Sequence, residues 1–164
     1  IEKASHVRDA LAELVAMAEL VYGTGIAAAV KSTKASSGTQ VPDVVFTNVA
    51  RYHAGVNVYR EHEILAEIAG GLPATLPPER DFYNPDTAGY LAKYIMRKQG
   101  ISAEAQHRCF RMISDLLVSA HAGVKQVGGV HGGGSPIMER IAIAAQYDLE
   151  AQKKLAKYLA GIEE

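Results

Sequence analysis

The chain has 164 residues, of which 48% are hydrophobic and 21% are charged, and these values are typical of a globular domain with a hydrophobic core. Its formal net charge is −1 and its basic residues are scattered, which gives no electrostatic basis for binding nucleic acid or an anionic membrane. The single cysteine, Cys109, excludes a disulfide within the chain.

The ends and the apolar content of the chain also bear on its class. The N-terminal residues have none of the features of a signal peptide, and no uninterrupted apolar run approaches the roughly 20 residues of a membrane span. With one cysteine, this favours a cytoplasmic protein without a membrane partner. Because the chain begins at Ile1 without an initiating methionine, we expect it to be a fragment of a longer polypeptide.

The first half of the chain has apolar residues at helical spacing. Ser5 can cap a first helix, which the cluster Ser36-Ser37-Gly38 is expected to end. A second long helix is predicted from Pro42-Asp43 to Gly70-Gly71, whereas strand character is limited to the short stretch Val41–Phe46. Two inward stripes are predicted, Val7, Leu11, Leu14, Ala18 and Val21 on the first helix and Val45, Val49, Tyr52, Val56 and Tyr59 on the second.

The second half is also predicted to be helical. After a proline-rich loop from Leu72 to Pro85, we expect a short helix near Asp86–Arg97 and then helices that begin at Ser102, Pro136 and Asp148. The inward residues predicted for these helices are Phe110, Ile113, Leu117, Ala120, Ile137, Ile141, Ala144, Leu155 and Leu159. Four main helices with short companions predict a single all-α domain over residues 1–164, folded as an up-and-down helical bundle.

A glycine-rich segment, Val130-His131-Gly132-Gly133-Gly134-Ser135-Pro136, runs into a strong helix start. Ser135 suits the N-cap and Pro136 the first helical position. Glycines let a ligand approach the backbone closely, and a helix N-terminus favours an anion or the polar edge of a flavin. The motif alone favours the simpler interpretation, a flexible turn between helices that is capped by Ser135 and Pro136. On this loop His131 is either a proton-handling group or a hydrogen-bonded structural residue.

A second glycine corner ends the second long helix at Glu67-Ile68-Ala69-Gly70-Gly71. A helix stop with glycine beyond the last turn explains both glycines without any ligand. Cys109 lies beside an apolar stripe, so we expect a small buried residue rather than a nucleophile. Alone it cannot hold zinc or an iron–sulfur cluster, and the sequence predicts no metal site.

Several of these segments, taken in order, resemble a known family. Over nearly its whole length the chain is similar to the C-terminal domain of the 4-hydroxyphenylacetate 3-hydroxylase / 4-hydroxybutyryl-CoA dehydratase flavoprotein family. The segments that carry the resemblance are Lys3-Ala4-Ser5-His6, Glu67-Ile68-Ala69-Gly70-Gly71-Leu72 with Thr75 and Pro77, Asp81-Phe82, His131 to Pro136, Arg140-Ile141, Lys154-Leu155-Ala156 and Ala160-Gly161-Ile162.

The resemblance implies an architecture like that of the acyl-CoA dehydrogenases, in which a helical N-terminal domain and a middle β domain precede this bundle. It also implies FAD shared between subunits and a homotetramer assembled largely through the bundle. In the dehydratase branch a [4Fe-4S] cluster lies near the flavin. Its ligands belong to the earlier domains, so none are expected in this chain.

For individual residues, the resemblance implies the following. Glu67, Gly70 and Gly71 match the Gln-x-x-Gly-Gly of acyl-CoA dehydrogenases, which contacts the FAD of a neighbouring subunit, with Glu in place of Gln. His131 would be catalytic, in the loop that approaches flavin and substrate. In the dehydratase an acidic residue is expected three positions before this histidine, where this chain has Gly128. The remaining predicted cofactor-binding residues are Gly132, Gly133, Gly134 and Ser135.

The His-Gly-x-Gly-Ser-Pro segment resembles the dehydratase branch more than the hydroxylase branch. The first hypothesis is therefore the C-terminal domain of a flavin-dependent 4-hydroxybutyryl-CoA dehydratase/vinylacetyl-CoA isomerase-like enzyme with an acyl-CoA substrate, inactive as an isolated chain. The second is the equivalent domain of an FAD-dependent 4-hydroxyphenylacetate hydroxylase. The third is a non-catalytic helical assembly module.

Overall fold

The structure, a computed structural model, describes residues 3–162 and is built almost entirely of α-helices. These residues form helices α1 (Ser5–Val30), α2 (Val44–Val56), α3 (Val58–Ala69), α4 (Leu72–Thr75), α5 (Ala88–Tyr94), α6 (Ala103–Leu117), α7 (Ala120–His131), α8 (Pro136–Gln146) and α9 (Leu149–Leu159). A 3-10 helix (Glu79–Phe82) and an antiparallel pair of two-residue strands, β1 (Thr33–Lys34) and β2 (Gln40–Val41), complete them. The predicted all-α helical bundle class is confirmed.

The chain divides into two compact units, each made of two separate segments. The first unit comprises the residues up to Leu14 together with Asn57–Val130, and the second comprises Val15–Val56 and the residues from His131 onward. The predicted single domain over residues 1–164 stays a prediction.

In the first unit, α6 packs against α3, α4 and α5 around a small core of Leu91, Ile95 and Ala103. The buried face of α6 differs from the predicted stripe, because Gln106 and His107 are buried whereas Phe110, Ile113 and Leu117 are half-buried. A loop covers α6 at this level: His107 Nε2 donates to the Pro77 carbonyl at 2.7 Å and its ring meets Phe82 edge-on. Satisfied polar side chains can therefore replace apolar ones in the interior.

In the second unit, packing is dominated by α2 against α8. The first helix ends at Val30, before the predicted stop, because the chain turns into the β1–β2 hairpin with Gly38 at φ 87°. The second predicted helix is interrupted at Asn57, whose φ of −84° and ψ of −12° remain helical. The stripes predicted to face inward on α8 and α9 are exposed, at Ile137, Ile141, Ala144, Leu155 and Leu159.

Helix α1 is unusual for its length and its exposed apolar surface. Only Val7 and Ala28 of its residues are buried, while Leu11, Val15 and Ile26 are exposed, so most of the predicted stripe does not form a core within this chain. With 26 residues, α1 is long and apolar enough to cross a membrane by length and composition alone, although its sequence has no uninterrupted apolar run of that length. The expected absence of a membrane partner stays a prediction.

Candidate functional site

A cavity of about 840 Å³ lies in the first unit, at the corner between α3 and α4, and is a candidate site. Its wall includes the whole segment Glu67–Leu72, so three of the predicted cofactor-binding residues, Glu67, Gly70 and Gly71, lie on one cavity. This volume lies within the range of about 300–1,000 Å³ that is typical of small-molecule and cofactor sites.

The glycine pair of this corner has two separate roles. Gly70 is the C-cap of α3, with φ 66° and ψ −156°, and its N–H donates to the Ala66 carbonyl. This backbone conformation favours glycine, so the helix-stop interpretation is confirmed at residue 70. Gly71 has an ordinary φ of −75°, yet no heavy atom lies within 4 Å of the Cβ position at either glycine. The backbone at both residues is therefore open to a ligand.

The sequence did not predict that Arg97, Lys98 and Gln106 also line the cavity. Gln106 is 8% exposed and its amide holds the turn after α5: Arg97 N donates to Gln106 Oε1 at 2.6 Å. Gln106 Nε2 in turn donates to the carbonyls of Ile101 at 3.1 Å and Lys98 at 3.4 Å. No motif signals these contacts, because they join a helix to an irregular turn.

The position of Cys109 corrects an expectation. The residue was predicted to be buried, but it is exposed and lies on the same cavity wall as Phe110 and Ile113. The helical face of α6 that carries these residues is only half covered by protein, which leaves the thiol accessible. Within residues 3–162, no group of three His, Cys, Asp or Glu side chains is arranged to hold a metal ion.

The glycine loop lies in the second unit and begins one residue later than predicted. His131 is the last residue of α7 rather than a loop residue, and its side chain is exposed. It has no side-chain partner among the residues described, so the structure gives no support to the hydrogen-bonded structural role. The helix start is as predicted: Pro136 is the first residue of α8, and the Ser135 hydroxyl accepts from the N–H of Met138 at 3.3 Å.

Arg51 of α2 provides a reason for glycine at residue 134. A Cβ at Gly134 would collide with Arg51 Nη2, and the φ of 125° also disfavours any other residue. Arg51 Nε lies 3.7 Å from Glu139 Oε1, and Arg51 Nη1 donates to Asn48 Oδ1 at 3.2 Å. The space expected to admit a ligand at Gly134 is thus taken by a guanidinium of the chain itself.

Next to this loop, the first turn of α8 carries the carboxylate of Glu139. Its side chain is 2% exposed, against 43% for Arg51, and Glu139 Oε2 has no hydrogen-bond partner among the described residues.

The predicted site residues form two sets. Glu67, Gly70 and Gly71 line a cavity of the first unit, whereas the loop of Gly132, Gly133, Gly134 and Ser135 lies in the second unit.

Comparison with known proteins gives matches over most of the chain. The family model described as 4-hydroxyphenylacetate 3-hydroxylase C terminal matches residues 1–161. The chain is 31% identical to the 4-hydroxybutyryl-CoA dehydratase/vinylacetyl-CoA-Δ-isomerase of Clostridium aminobutyricum, over 98% of this chain and 34% of that protein. A second relative is the (3S)-3-amino-3-(3-chloro-4-hydroxyphenyl)propanoyl-[peptidyl-carrier protein] monooxygenase of Streptomyces globisporus. The chain is 27% identical to it over 71% of this chain and 22% of that protein.

Solved structures give the same result. An oxygen-tolerant archaeal 4-hydroxybutyryl-CoA dehydratase from N. maritimus matches with a TM-score of 0.88 and 33% identity, covering 99% of this chain and 32% of that one. The oxygenase component of 4-hydroxyphenylacetate 3-monooxygenase, solved with FAD, matches in fold with a TM-score of 0.88 at 23% identity, over 96% of this chain and 33% of its own. The chain therefore spans about a third of the length of these relatives, and it belongs to the family of 4-hydroxyphenylacetate 3-hydroxylase C-terminal domains.

Proposed function

We propose that this chain is the C-terminal part of a cytoplasmic, FAD-dependent enzyme of the 4-hydroxybutyryl-CoA dehydratase/vinylacetyl-CoA isomerase type. The dehydratase assignment is favoured over the hydroxylase because the 31–33% identity to dehydratases extends over almost the whole chain. The observation that carries the cofactor assignment is the 840 Å³ cavity at the open Gly70-Gly71 corner.

The residues of this cavity fit part of an FAD molecule. Gly70 and Gly71 leave the backbone uncovered, and Phe110 and Ile113 offer half-buried apolar surface for a flat ring system. Glu67 can accept hydrogen bonds from hydroxyl groups, as carboxylates of dinucleotide sites do. When bound, the flavin would supply the electron transfer that removal of an unactivated hydrogen needs, while this chain contributes one wall of its site.

In the second unit, we propose that His131 and the loop Gly132–Ser135 contact the flavin and the substrate. The exposed imidazole of His131 has no competing partner among the described residues, so it is available to hold or move a proton. Because Arg51 fills the space at Gly134 and its Nε also lies 3.5 Å from the Cβ position of Gly133, close approach of a ligand is left to the backbone of Gly132. Any [4Fe-4S] cluster would take its ligands from outside this chain.

We also propose that the exposed apolar helices are covered in the complete protein, by its other domains and by further copies of this chain in a homotetramer. Leu159, for example, is 75% exposed and Ile137 is 61% exposed, and both belong to stripes with the spacing of a buried face. A non-catalytic assembly module would also need such exposed apolar surfaces. Flavin binding therefore distinguishes the flavoenzyme hypothesis from the assembly-module hypothesis.

A pair of glycine substitutions tests the cofactor assignment in the complete polypeptide that includes this chain. Gly71→Leu places a side chain in the cavity without backbone strain, because its φ is −75°. Gly123→Leu is the matched control, since it is also an open glycine with an ordinary φ but lies on α7, outside the cavity. We expect Gly71→Leu alone to lose flavin on gel filtration; equal flavin retention by both variants would contradict the proposed site.

A further inference from the structure

The ion pair between Arg51 and Glu139, beside the glycine loop, is incomplete. The Glu139 side chain is 2% exposed, and Glu139 Oε2 has no hydrogen-bond partner among the described residues. The other oxygen, Oε1, lies 3.7 Å from Arg51 Nε, whereas a charge-assisted hydrogen bond of this kind spans about 2.7–2.9 Å. A buried carboxylate without close donors is costly, so any state in which Glu139 gains such donors is favoured.

Arg51 uses the donors that Glu139 lacks elsewhere. Arg51 Nη1 donates to Asn48 Oδ1 at 3.2 Å, and Arg51 Nη2 occupies the place of a Cβ at residue 134. Arg51 Nε also lies 3.5 Å from the Cβ position of Gly133. The guanidinium therefore covers two residues of the glycine loop instead of binding the carboxylate with its fork of Nε and Nη2.

The Arg51 side chain has the freedom to change between these contacts. It is 43% exposed, so another rotamer can be reached through solvent. Asn48 would lose one partner, but its Nδ2 still donates to the Val44 carbonyl at 2.8 Å. Turning the fork towards Glu139 would exchange one hydrogen bond to a neutral acceptor for two charge-assisted ones.

We propose that Arg51 covers the glycine loop until a ligand binds, and that Glu139 is the positioning residue that holds Arg51 in the open position. Without ligand, Arg51 lies against Gly133 and Gly134. When a ligand group reaches the loop, Arg51 turns so that Nε and Nη2 donate to the two oxygens of Glu139, which uncovers the backbone of both glycines. The ligand shifts the balance between the two positions because it contacts these glycines only in the open one.

The charge of the open position indicates which ligand group fits. Arg51 bound to both oxygens of Glu139 forms a pair without net charge, so this pair leaves no unpaired cation for a phosphate. The uncovered loop therefore suits an uncharged group, and we assign it to the acyl end of an acyl-CoA rather than to the phosphates of coenzyme A. This assignment rests on the proposed function, in which the loop contacts the substrate.

Binding of butyryl-CoA to the complete, flavin-loaded polypeptide tests the proposal. This acyl-CoA lacks the hydroxyl group that dehydration removes, and anaerobic titration without an electron acceptor measures its affinity without turnover. Because Glu139→Gln weakens the open position, we expect it to bind butyryl-CoA about tenfold more weakly than wild type. In an Arg51→Met background no side chain covers the loop, so Glu139→Gln should change the affinity by less than about twofold.

Two controls accompany this titration. Glu150→Gln removes an exposed carboxylate from α9 and should bind butyryl-CoA as wild type does. Coenzyme A without an acyl group should bind equally well to wild type and to Glu139→Gln, which shows that the variant is folded. A loss of affinity for coenzyme A as large as the loss for butyryl-CoA would overturn the assignment to the acyl end.

Crystal structures of the complete polypeptide with and without butyryl-CoA provide a readout that a merely structural role of Glu139 would not change. We expect Arg51 Nε and Nη2 at about 2.7–2.9 Å from the two oxygens of Glu139 in the bound structure only. An Arg51 that stays against Gly134 while butyryl-CoA is bound would overturn the proposal. Equal effects of Glu139→Gln on affinity in the wild-type and Arg51→Met backgrounds would also overturn it.

The failure of this proposal and the failure of the proposed function are distinguishable. If Arg51 does not move but Gly71→Leu still loses flavin, the proposed flavin site stands and only the cover is wrong. Failure of the wild-type polypeptide to bind butyryl-CoA would contradict both the acyl-CoA substrate and the cover.

Discussion

Arg51 Nε lies 3.7 Å from the buried Glu139 Oε1, and the same guanidinium occupies the position that a side chain at residue 134 would take. A partly exposed cation of α2 therefore faces a buried carboxylate of α8 beside the glycine loop. A side chain at residue 134 would displace this cation and would be strained by the φ of 125°, whether or not a ligand binds nearby.

The first prediction concerns this intolerance. Gly134→Ala should lower the free energy of unfolding by about 1–3 kcal/mol, because it combines an unfavourable φ of 125° with displacement of Arg51. Gly128→Ala is the control, since it lies in α7 with open space around it and should be neutral or stabilising. Urea unfolding of the complete polypeptide measures both, and equal values for the two variants would refute the steric account.

A second prediction concerns the coupling between Arg51 and Glu139. Arg51→Met leaves a buried carboxylate without its cation, whereas in a Glu139→Gln background no charge is left unpaired. Because Arg51 is 43% exposed, we expect a modest coupling energy of about 1 kcal/mol in a double-mutant cycle. Additive effects of the two substitutions would show that the 3.7 Å contact contributes nothing.

The third prediction follows from the ion pair between Arg60 and Glu13 in the first unit. Arg60 Nε and Nη2 donate to the two oxygens of Glu13 at 2.7 and 2.8 Å, and these hydrogen bonds lower the pKa of the Glu13 carboxyl. Since the folded-state pKa lies below the unfolded one, the stabilisation is present above the ordinary glutamate range and is lost as the pH falls through the folded pKa.

Glu13→Gln checks this sign. Wild type should be more stable than the variant at neutral pH, and the difference should shrink as the pH falls below about 4.5. Added salt should weaken the difference, because both side chains are partly exposed, at about 40%. A difference that grows towards acid pH would contradict the assigned pKa shift.

The fourth prediction concerns Gln106. Gln106→Leu removes three hydrogen bonds from the turn after α5, so hydrogen exchange should accelerate at residues 97–101. Gln152→Leu, an exposed position on α9, should leave exchange in this turn unchanged. Unaltered exchange in Gln106→Leu would show that other contacts hold the turn.

Local signals in the sequence predicted local structure well. The N-caps at Ser102, Ser135 and Asp148 are present as predicted, each accepting from a backbone N–H three residues further on. Such caps depend on neighbouring residues alone, so a single sequence contains the information for them.

Contacts between distant residues were not predictable in the same way. The contact of Arg51 with Gly134 and the hydrogen bond between Gln106 and Arg97 each depend on how a helix packs against an irregular segment. Neither contact produces a periodic pattern in the sequence. The stripes on α8 and α9 were correctly recognised as apolar but are exposed within this chain. Hydrophobic periodicity indicates that a face is covered; it does not identify what covers it.

The anaerobic visible spectrum of the complete native polypeptide shows whether it is a flavin-dependent enzyme of the dehydratase type. We expect flavin absorption bands together with a broad iron–sulfur shoulder. Flavin bands alone would contradict the dehydratase assignment and favour the hydroxylase. A polypeptide that stays colourless after reconstitution with FAD would contradict the flavoenzyme assignment itself and leave the assembly module.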